Sequence, residues 1–256
     1  MQSSQTVTLR QLRDQKYAVV LCYPKYDLQE TTMRVQELKK LGIKALEFVG
    51  EKTVFNVPVL GKGYVGVVVA AHIGNAKVAL KIRRVDADRS EMYHEAEMLQ
   101  IANKVEVGPR LVGVSENFLV MEFVEGTLLP EWLENVRGRG TRKRVRLVLR
   151  DTLEQCRRLD EAGLDHGELS RAPKHIIVDK DNHAYIVDFE TASITRRKSN
   201  VTSICQYFFI GSQVAKTLQR KLGRIDKEAL IAALQDYKKE STAQSFCAIL
   251  KACRLT

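Results

Sequence analysis

The clearest pattern of apolar and polar positions lies in residues 61–82. A β-branched run at residues 67–69 is followed by a glycine–asparagine pair and then by a short segment in which the side chains alternate. A Gly-Asn pair between two such runs predicts a β-hairpin. Alternation places Val78, Leu80 and Ile82 on one face of the second strand and Ala79 and Lys81 on the other.

Helices and further strands are expected on both sides of this hairpin. Asp27, with Glu30 three residues later, is typical of a capped helix start, and Gly42 ends that helix. Apolar residues at helical spacing predict helices over residues 90–99, 131–159, 201–220, 226–237 and 242–254. Strands are expected at residues 17–23, 43–49, 53–60, 110–114, 117–123, 176–178 and 184–187. The first fifty residues are therefore expected to form a small β-α-β extension.

Composition narrows the class of protein. The chain has 256 residues, of which 45% are apolar and 28% charged, which is typical of a globular protein with one large domain or two lobes. Its five cysteines are scattered without a Cys-x-x-Cys pair, which indicates neither a zinc site nor a disulfide framework and favours a cytoplasmic location. The sequence contains no signal-peptide pattern and no apolar run of about 20 residues, so no membrane partner is expected.

Three glycines lie in the first half of the hairpin, at Gly61, Gly63 and Gly66. This G-x-G-x-x-G lies between two strands, whereas a dinucleotide fingerprint opens a helix. A glycine turn of this kind lets the backbone approach a triphosphate closely. Two interpretations of Lys81 are open: it points beneath the turn towards phosphate oxygens, or it lies in solvent on a surface hairpin.

Glu95 borders the apolar face of the helix predicted at residues 90–99, three positions after Met92. A carboxylate there could form an ion pair with Lys81. The alternative is a solvated glutamate, like its neighbours Glu91 and Glu97.

The net charge of +10 suits an anionic partner, from a nucleotide to RNA. Within the helical pattern of residues 131–159, residues 140–150 form a basic run, which comprises Arg142, Lys143, Arg144, Arg146 and Arg150. This run is either the solvated face of the helix or a nucleic-acid patch, although no aromatic residues for base stacking lie within it.

A second informative stretch covers residues 163–190. Two apolar strands around the Asp181-Asn182 turn predict another hairpin, with His166 and Glu168 just before it and Asp188 at its end. A carboxylate directly after an apolar strand suits a metal ligand, and Mg²⁺ prefers oxygen donors.

In this order, the motifs resemble those of the protein kinase fold. The set comprises the glycine turn, Val78-Ala79-Leu80-Lys81, the helix glutamate, Met121-Glu122-Phe123-Val124, His166-Gly167-Glu168 and Asp188-Phe189-Glu190. The resemblance covers roughly residues 53–215 and is closest to small atypical kinases of the RIO-like and predicted archaeal Ser/Thr type. It implies an α+β, two-lobed fold, with an antiparallel-sheet N-lobe (residues 51–126), a mainly helical, truncated C-lobe (residues 127–256) and the N-terminal extension (residues 1–50).

The resemblance also implies ATP as the nucleotide, bound with Mg²⁺ or Mn²⁺. The residues that would contact adenine are Val68, Ala79, Met121, Glu122 and Val124, and those near the phosphates are Gly61, Gly63, Gly66 and Lys81. Glu95 would position Lys81, His166 would support the catalytic loop, and Asp188 would bind the metal ion that bridges the phosphates.

Three positions depart from the kinase pattern. Glu168 stands where the family has the catalytic aspartate, and its carboxylate is one methylene farther from the backbone. The asparagine that supplies the second metal ligand is replaced by Pro173, and His175 follows as the nearest donor, acceptable to Mn²⁺ but poor for Mg²⁺. Glu190 replaces a glycine and offers a further carboxylate ligand. The Ala-Pro-Glu motif is absent, so the substrate platform is expected to be truncated.

Three functions are compatible with this sequence. The first is an atypical Ser/Thr protein kinase that acts on a protein or on itself. The second is a kinase of a small molecule or an RNA-linked group, which Glu190 and the missing platform favour. The third is a nucleotide-binding pseudokinase or assembly factor, which Glu168 and Pro173 favour. Association with RNA or the ribosome is compatible with all three.

Overall fold

In the computed structural model, which describes residues 5–256, the chain divides into two units. The first contains the described residues up to Gln100 together with Pro109–Phe123, and the second contains Ile101–Gly108 and Val124–Thr256. The chain passes from the first unit to the second between Gln100 and Ile101, and again between Phe123 and Val124.

The first unit is built on an antiparallel sheet. The strands of this unit are β1 (Gln5–Thr8), β2 (Ile43–Phe48), β3 (Lys52–Val54), β4 (Val57–Val59), β5 (Gly61–Lys62), β6 (Gly66–Ile73), β7 (Ala76–Arg83), β8 (Leu111–Val114) and β9 (Phe118–Glu122). The order along the sheet is β1-β2-β6-β7-β9-β8, with β5 paired to β6, while β3 and β4 form a separate hairpin. The helices are α1 (Gln15–Leu21), α2 (Leu28–Lys40) and α3 (Glu91–Lys104), of which the last four residues belong to the second unit, and a 3-10 turn occupies Gln11–Arg13. The antiparallel sheet and the central β6–β7 hairpin are as the sequence predicted.

Two predicted strands of the N-terminal region are wrong. Most of residues 17–23 form α1, whose first turn is capped by the Asp14 side chain accepting a hydrogen bond from the Lys16 amide. A short apolar run is compatible with a buried helix as well as with a strand, so the pattern does not distinguish the two. The first strand among the described residues is β1. Residues 53–60 form the β3–β4 hairpin, because Phe55 and Asn56 both take positive φ angles and turn the chain back.

The second unit is mainly helical. It has a small antiparallel sheet of β10 (Gly126–Leu128), β11 (Ile176–Asp179) and β12 (Ala184–Ile186). Its helices are α4 (Leu129–Asn135), α5 (Thr141–Glu161), α6 (Asn200–Cys205), α7 (Gln213–Leu222), α8 (Lys227–Lys239) and α9 (Ala243–Ala252), with a 3-10 turn at Leu169–Arg171 and a π-helical turn at Gln206–Ile210. The single helix predicted at residues 201–220 is interrupted because the Ser212 hydroxyl accepts a hydrogen bond from the Ala215 amide and thereby caps a new helix, α7.

The fold is therefore mixed α+β, with an antiparallel sheet in the first unit and helices dominating the second, as the sequence predicted. No helix among residues 5–256 combines the length and the apolar character needed to cross a membrane.

The N-terminal region, residues 5–48, adds two strands to the sheet of the first unit and covers one of its faces with helices. Strands β1 and β2 extend the sheet at the free edge of β6. The face of the sheet that carries Val67 and Leu80 packs into one core with apolar residues of α1 and α2, among them Leu21, Val35 and Leu38. Covering this face removes apolar area from water, which is the main stabilising contribution to folding.

A buried arginine fastens α2 to the same sheet. The Arg34 guanidinium is fully buried and donates hydrogen bonds to the Leu21 carbonyl at 2.6 Å, the Arg83 carbonyl at 2.5 Å and the Asn117 amide oxygen at 2.8 Å. Its Nε also donates to the Glu30 carboxylate at 2.6 Å. A buried charge is tolerated only when it is paired and hydrogen-bonded in this way.

We expect Arg34→Met to lower the free energy of unfolding by about 3–5 kcal/mol, because it leaves the buried carbonyls of Leu21 and Arg83 without their donor. Urea unfolding measures the change. Lys40→Met, an exposed position on the same helix, is the matched control and should change stability by less than about 0.5 kcal/mol. Equal stability of the two variants would contradict the structural role of Arg34.

Candidate active site

The glycine turn is built as a strand–turn–strand. Strand β5 pairs with β6 in the register Gly61↔Val68 and Lys62↔Val67, and the Gly63 amide donates to the Gly66 carbonyl at 2.8 Å. Gly66 is buried where a Cβ would lie 2.8 Å from the Ile82 carbonyl oxygen, so only glycine fits there. The turn is therefore closed by a backbone hydrogen bond, and its last residue has to be a glycine for steric reasons.

Lys81 and Glu95 form a buried ion pair. The Lys81 ammonium lies 2.6 Å from a Glu95 carboxylate oxygen, and the two side chains are only 4% and 3% exposed. Helix α3 brings Glu95 to the sheet because Met92 and Ala96 pack against Leu119 of β9. Lys81 is therefore not in solvent on a surface hairpin, and Glu95 is not a solvated glutamate.

Three of the five residues expected to contact adenine share the face of Lys81. The register pairs Val68 with Lys81 and Ala79 with Met121, and directly paired residues project to the same face of a sheet. Val68, Ala79 and Met121 are all half-buried, so this part of the face is apolar and accessible. Glu122 is exposed at the end of β9, and Val124 is half-buried as the second unit begins.

In the second unit, Glu168, His175 and Asp188 come together. Nε2 of His175 lies 3.1 Å from a Glu168 carboxylate oxygen, and Nδ1 lies 3.8 Å from an Asp188 carboxylate oxygen. His175 directly precedes β11 and Val187 directly follows β12, and the Val187 amide donates a hydrogen bond to the His175 carbonyl at 3.0 Å. Asp188 then turns out of β12 with a φ of 70°, a conformation that aspartate tolerates better than most residues.

This three-residue group fits a divalent cation by its donors. One ligand atom from each residue lies within 4.8 Å of the others. Burial lowers the pKa of His175, although Asp188 and Glu168 oppose that shift, so its imidazole is available in the neutral form that binds metals. Two carboxylates with one imidazole suit Mn²⁺ better than Mg²⁺. Glu190 is half-buried and does not belong to this group of three, but one of its carboxylate oxygens lies within 4.8 Å of a carboxylate oxygen of Asp188. The Lys174 ammonium lies 3.7 Å from an Asp188 carboxylate oxygen.

His166 contacts backbone rather than solvent. Its ring is fully buried, Nε2 lies 3.1 Å from the Val187 carbonyl oxygen, and its amide donates to the Asn200 side-chain oxygen at 2.9 Å. Burial, with a smaller contribution from His175, lowers the pKa of His166 to about 4. The imidazole is therefore neutral near pH 7 and connects the segment before Glu168 to the end of β12.

Sequence reasoning missed the polar residues that hold this segment in place. Asp160, buried in α5, accepts hydrogen bonds from the Asn200 amide at 2.9 Å and from its side chain at 2.8 Å. The Asn200 side chain also donates to the Leu164 carbonyl at 2.7 Å. Burial raises the pKa of Asp160, while the hydrogen bonds from Asn200 and Val201 oppose the shift.

Asp165 makes a parallel set of contacts one residue before His166. Its carboxylate accepts hydrogen bonds from Arg196 Nε at 2.6 Å and from the Ser199 amide at 3.0 Å. These bonds attach the basic segment after Glu190 to the segment that carries Glu168. The acid next to His166 was a visible signal in the sequence, but its distant partners were not.

We expect Asn200→Ala to lower the free energy of unfolding by about 2–3 kcal/mol, because the buried His166 amide and Leu164 carbonyl lose their partner and Asp160 loses one of its donors. Urea unfolding measures the change. The control is Asn135→Ala at an exposed position, with an expected change below about 0.5 kcal/mol. A change as small for Asn200→Ala would show that this network carries little stability.

Comparison with known proteins places these motifs in a family. A search of curated proteins found no match to the chain. The family model described as RIO domain matches residues 75–204, which include Lys81, Glu95, Glu168 and Asp188 but not the glycine turn. The match covers half of the chain, so the protein belongs to the RIO family of the atypical protein kinase-like superfamily, whose members are ATP-binding phosphotransferases.

Proposed function

We propose that the protein is an atypical Ser/Thr protein kinase that transfers the γ-phosphoryl group of ATP to a protein hydroxyl, including its own. The observation that carries this proposal is the buried Lys81–Glu95 ion pair beneath an accessible apolar face. Burying an ammonium and a carboxylate costs several kcal/mol per ion before pairing, so a pair of this kind indicates a functional demand. A cytoplasmic location is proposed with it.

ATP binding is assigned to the face that carries Lys81. Val68, Ala79 and Met121 enclose the adenine, and the backbones of Glu122 and Val124 bond its edge. The phosphates are covered by the turn that contains Gly61, Gly63 and Gly66. Lys81, oriented by Glu95, binds the α- and β-phosphates. The division of the chain at residues 50 and 126 into extension, N-lobe and C-lobe stays a prediction.

Metal binding is assigned to Asp188, with His175 and Glu190 as further ligands. When bound, Mn²⁺ or Mg²⁺ supplies neutralisation of the phosphate charge. Glu168 accepts the proton of the substrate hydroxyl, and its contact with His175 restrains a carboxylate that is 38% exposed. His166, neutral and bonded to backbone, is a positioning residue for this loop.

Autophosphorylation with γ-labelled ATP tests the proposal in the presence of Mg²⁺ or Mn²⁺. We expect Asp188→Asn and Lys81→Met each to reduce phosphate incorporation at least about 100-fold, because each removes a charge that stabilises the transferred group. Lys77→Met is the matched control: it lies on the same strand, pairs with Glu47 at 3.0 Å, and should leave incorporation unchanged.

Phosphate incorporation that survives Asp188→Asn would refute the assignment. Transfer to metabolites without transfer to proteins would select a small-molecule kinase, and transfer to RNA would select an RNA-linked one. ATP binding in a thermal-shift assay without any transfer would select a pseudokinase or assembly factor, in which case Glu168 does not replace the catalytic aspartate.

A second observation favours RNA as a partner. Residues 135–150 contain seven basic side chains and residues 191–225 contain seven more, and neither segment contains an acidic residue. The fold of the second unit joins them: Arg142 Nε donates to the Lys221 carbonyl at 3.2 Å, and Lys221 donates to the Val136 carbonyl at 3.1 Å. Basic residues that come together at this junction suit a phosphate backbone.

Binding to a fluorescent single-stranded RNA, measured over a range of salt concentrations, tests this second proposal. The variant with Arg139, Lys143, Arg220 and Arg224 all changed to Gln, four exposed positions, should bind more weakly. It should also reduce the slope of log K against log salt by about 0.7 for each phosphate that the variant no longer neutralises. Changing the exposed Lys39 and Lys40 of α2 to Gln is the control, and an equal effect of both variants would contradict a localised surface.

A further inference from the structure

Tyr23, in the segment between α1 and α2, packs against both strand ends that hold the glycine turn. The Lys62 ammonium lies over its ring at 4.6 Å from the centroid, and the Arg84 guanidinium lies at 5.0 Å. Lys62 is the last residue of β5, just before the turn, and Arg84 follows the last residue of β7. One aromatic ring therefore contacts a cation from each strand.

Backbone hydrogen bonds connect the same elements. The Arg84 amide donates to the Val65 carbonyl, within the turn, at 2.8 Å. The next amide, that of Val85, donates to the Tyr23 carbonyl at 2.9 Å. The glycine turn is thus bonded to the end of β7, and the end of β7 is bonded to Tyr23.

The register decides which way Lys62 points. Lys62 pairs with Val67, whose side chain lies in the core shared with α1 and α2, whereas Gly61 pairs with Val68, on the face of Lys81. Paired residues share a face, so Lys62 projects away from the face assigned to ATP. On that side of the sheet, the Lys62 ammonium contacts the Tyr23 ring.

We propose that Tyr23 is a positioning residue for the glycine turn, acting through Lys62 and Arg84. Residues 61–66 contain three glycines and have little side-chain packing of their own, so ordering them over a nucleotide carries a large entropic cost. Tyr23 restrains β5 from the face of the sheet opposite Lys81, which lowers the entropic cost of ordering the turn when ATP binds. This gives the N-terminal region a role in nucleotide binding, and that part of the inference rests on the proposed function.

We call the contacts of Tyr23 with Lys62 and Arg84 the clamp. Hydrogen exchange of backbone amides in the ligand-free protein tests the clamp without a measurement of activity. Each exposed cation–π contact contributes on the order of a two- to fivefold change in an equilibrium constant. We therefore expect Tyr23→Leu to speed exchange of the Gly63 and Arg84 amides about tenfold. Tyr23→Phe keeps the ring and should change exchange less than about twofold. Tyr26→Leu, at another half-buried tyrosine three residues later, is the control.

Kinetics then separate positioning from direct contact. Tyr23→Leu should raise KM for ATP severalfold with little change in kcat, and Tyr23→Phe should restore it. Lys62→Met, at an exposed position that the fold tolerates, should have a smaller effect of the same kind and add little in the Tyr23→Leu background. An undiminished effect of Lys62→Met in that background would make Lys62 a phosphate ligand and overturn the inference.

The outcomes distinguish the two proposals. Faster exchange in Tyr23→Leu, in a protein that neither binds nor uses ATP, would support the clamp and refute the kinase function. Unchanged exchange in both Tyr23→Leu and Lys62→Met, in a protein that phosphorylates normally, would refute the clamp and leave the kinase function intact.

Discussion

The burial of one ammonium group constrains much of the first unit. Lys81 lies in the middle of a sheet with almost no solvent access, and a charge in that place must be paired. Glu95 can reach it only if α3 lies across the face of β7 and β9, which the packing of Met92 and Ala96 on Leu119 ensures. Gly66 contributes by having no side chain, since a Cβ there would lie 3.1 Å from Cγ of Lys81. The glycine turn, the lysine and the helix are therefore parts of one steric and electrostatic arrangement.

In the second unit, hydrogen bonds hold the residues of the candidate site in place. Asp160, Asn200 and His166 form a buried chain from α5 to the segment before Glu168, and the Val187 amide fixes His175 beside β12. Each of these three residues hydrogen-bonds to another of them, which restrains the segment before Glu168, although Nδ1 of His166 has no hydrogen-bond partner among the described residues. The three residues Glu168, His175 and Asp188 are held by backbone at strand and turn ends, so their approach does not depend on long flexible loops.

The N-terminal region is integrated with the sheet rather than appended to it. Its strands continue the sheet, its helices cover one face, and Arg34 anchors α2 to the carbonyl of Arg83. Arg83 ends the strand that carries Lys81, and Arg84, which follows it, contacts Tyr23. The two faces of the sheet thus have different tasks: one carries Lys81 and the residues assigned to adenine, and the other supports the strand ends around the glycine turn.

The sequence by itself determined those features that depend on neighbours along the chain. The hairpin at residues 66–83, the face on which Lys81 lies and the apolar stripe of α5 follow from periods of two and 3.6 residues, which backbone geometry imposes. The order of the motifs was also enough to indicate the family. The break at Ser212 is also local, since its hydroxyl accepts a hydrogen bond from the Ala215 amide, but the helical pattern of residues 201–220 concealed it. Tertiary structure alone decided that residues 17–21 are helical, that Glu168 touches His175 and that Lys62 faces Tyr23. Each of these depends on contacts between residues that are not neighbours along the chain, whose energies local propensity does not contain.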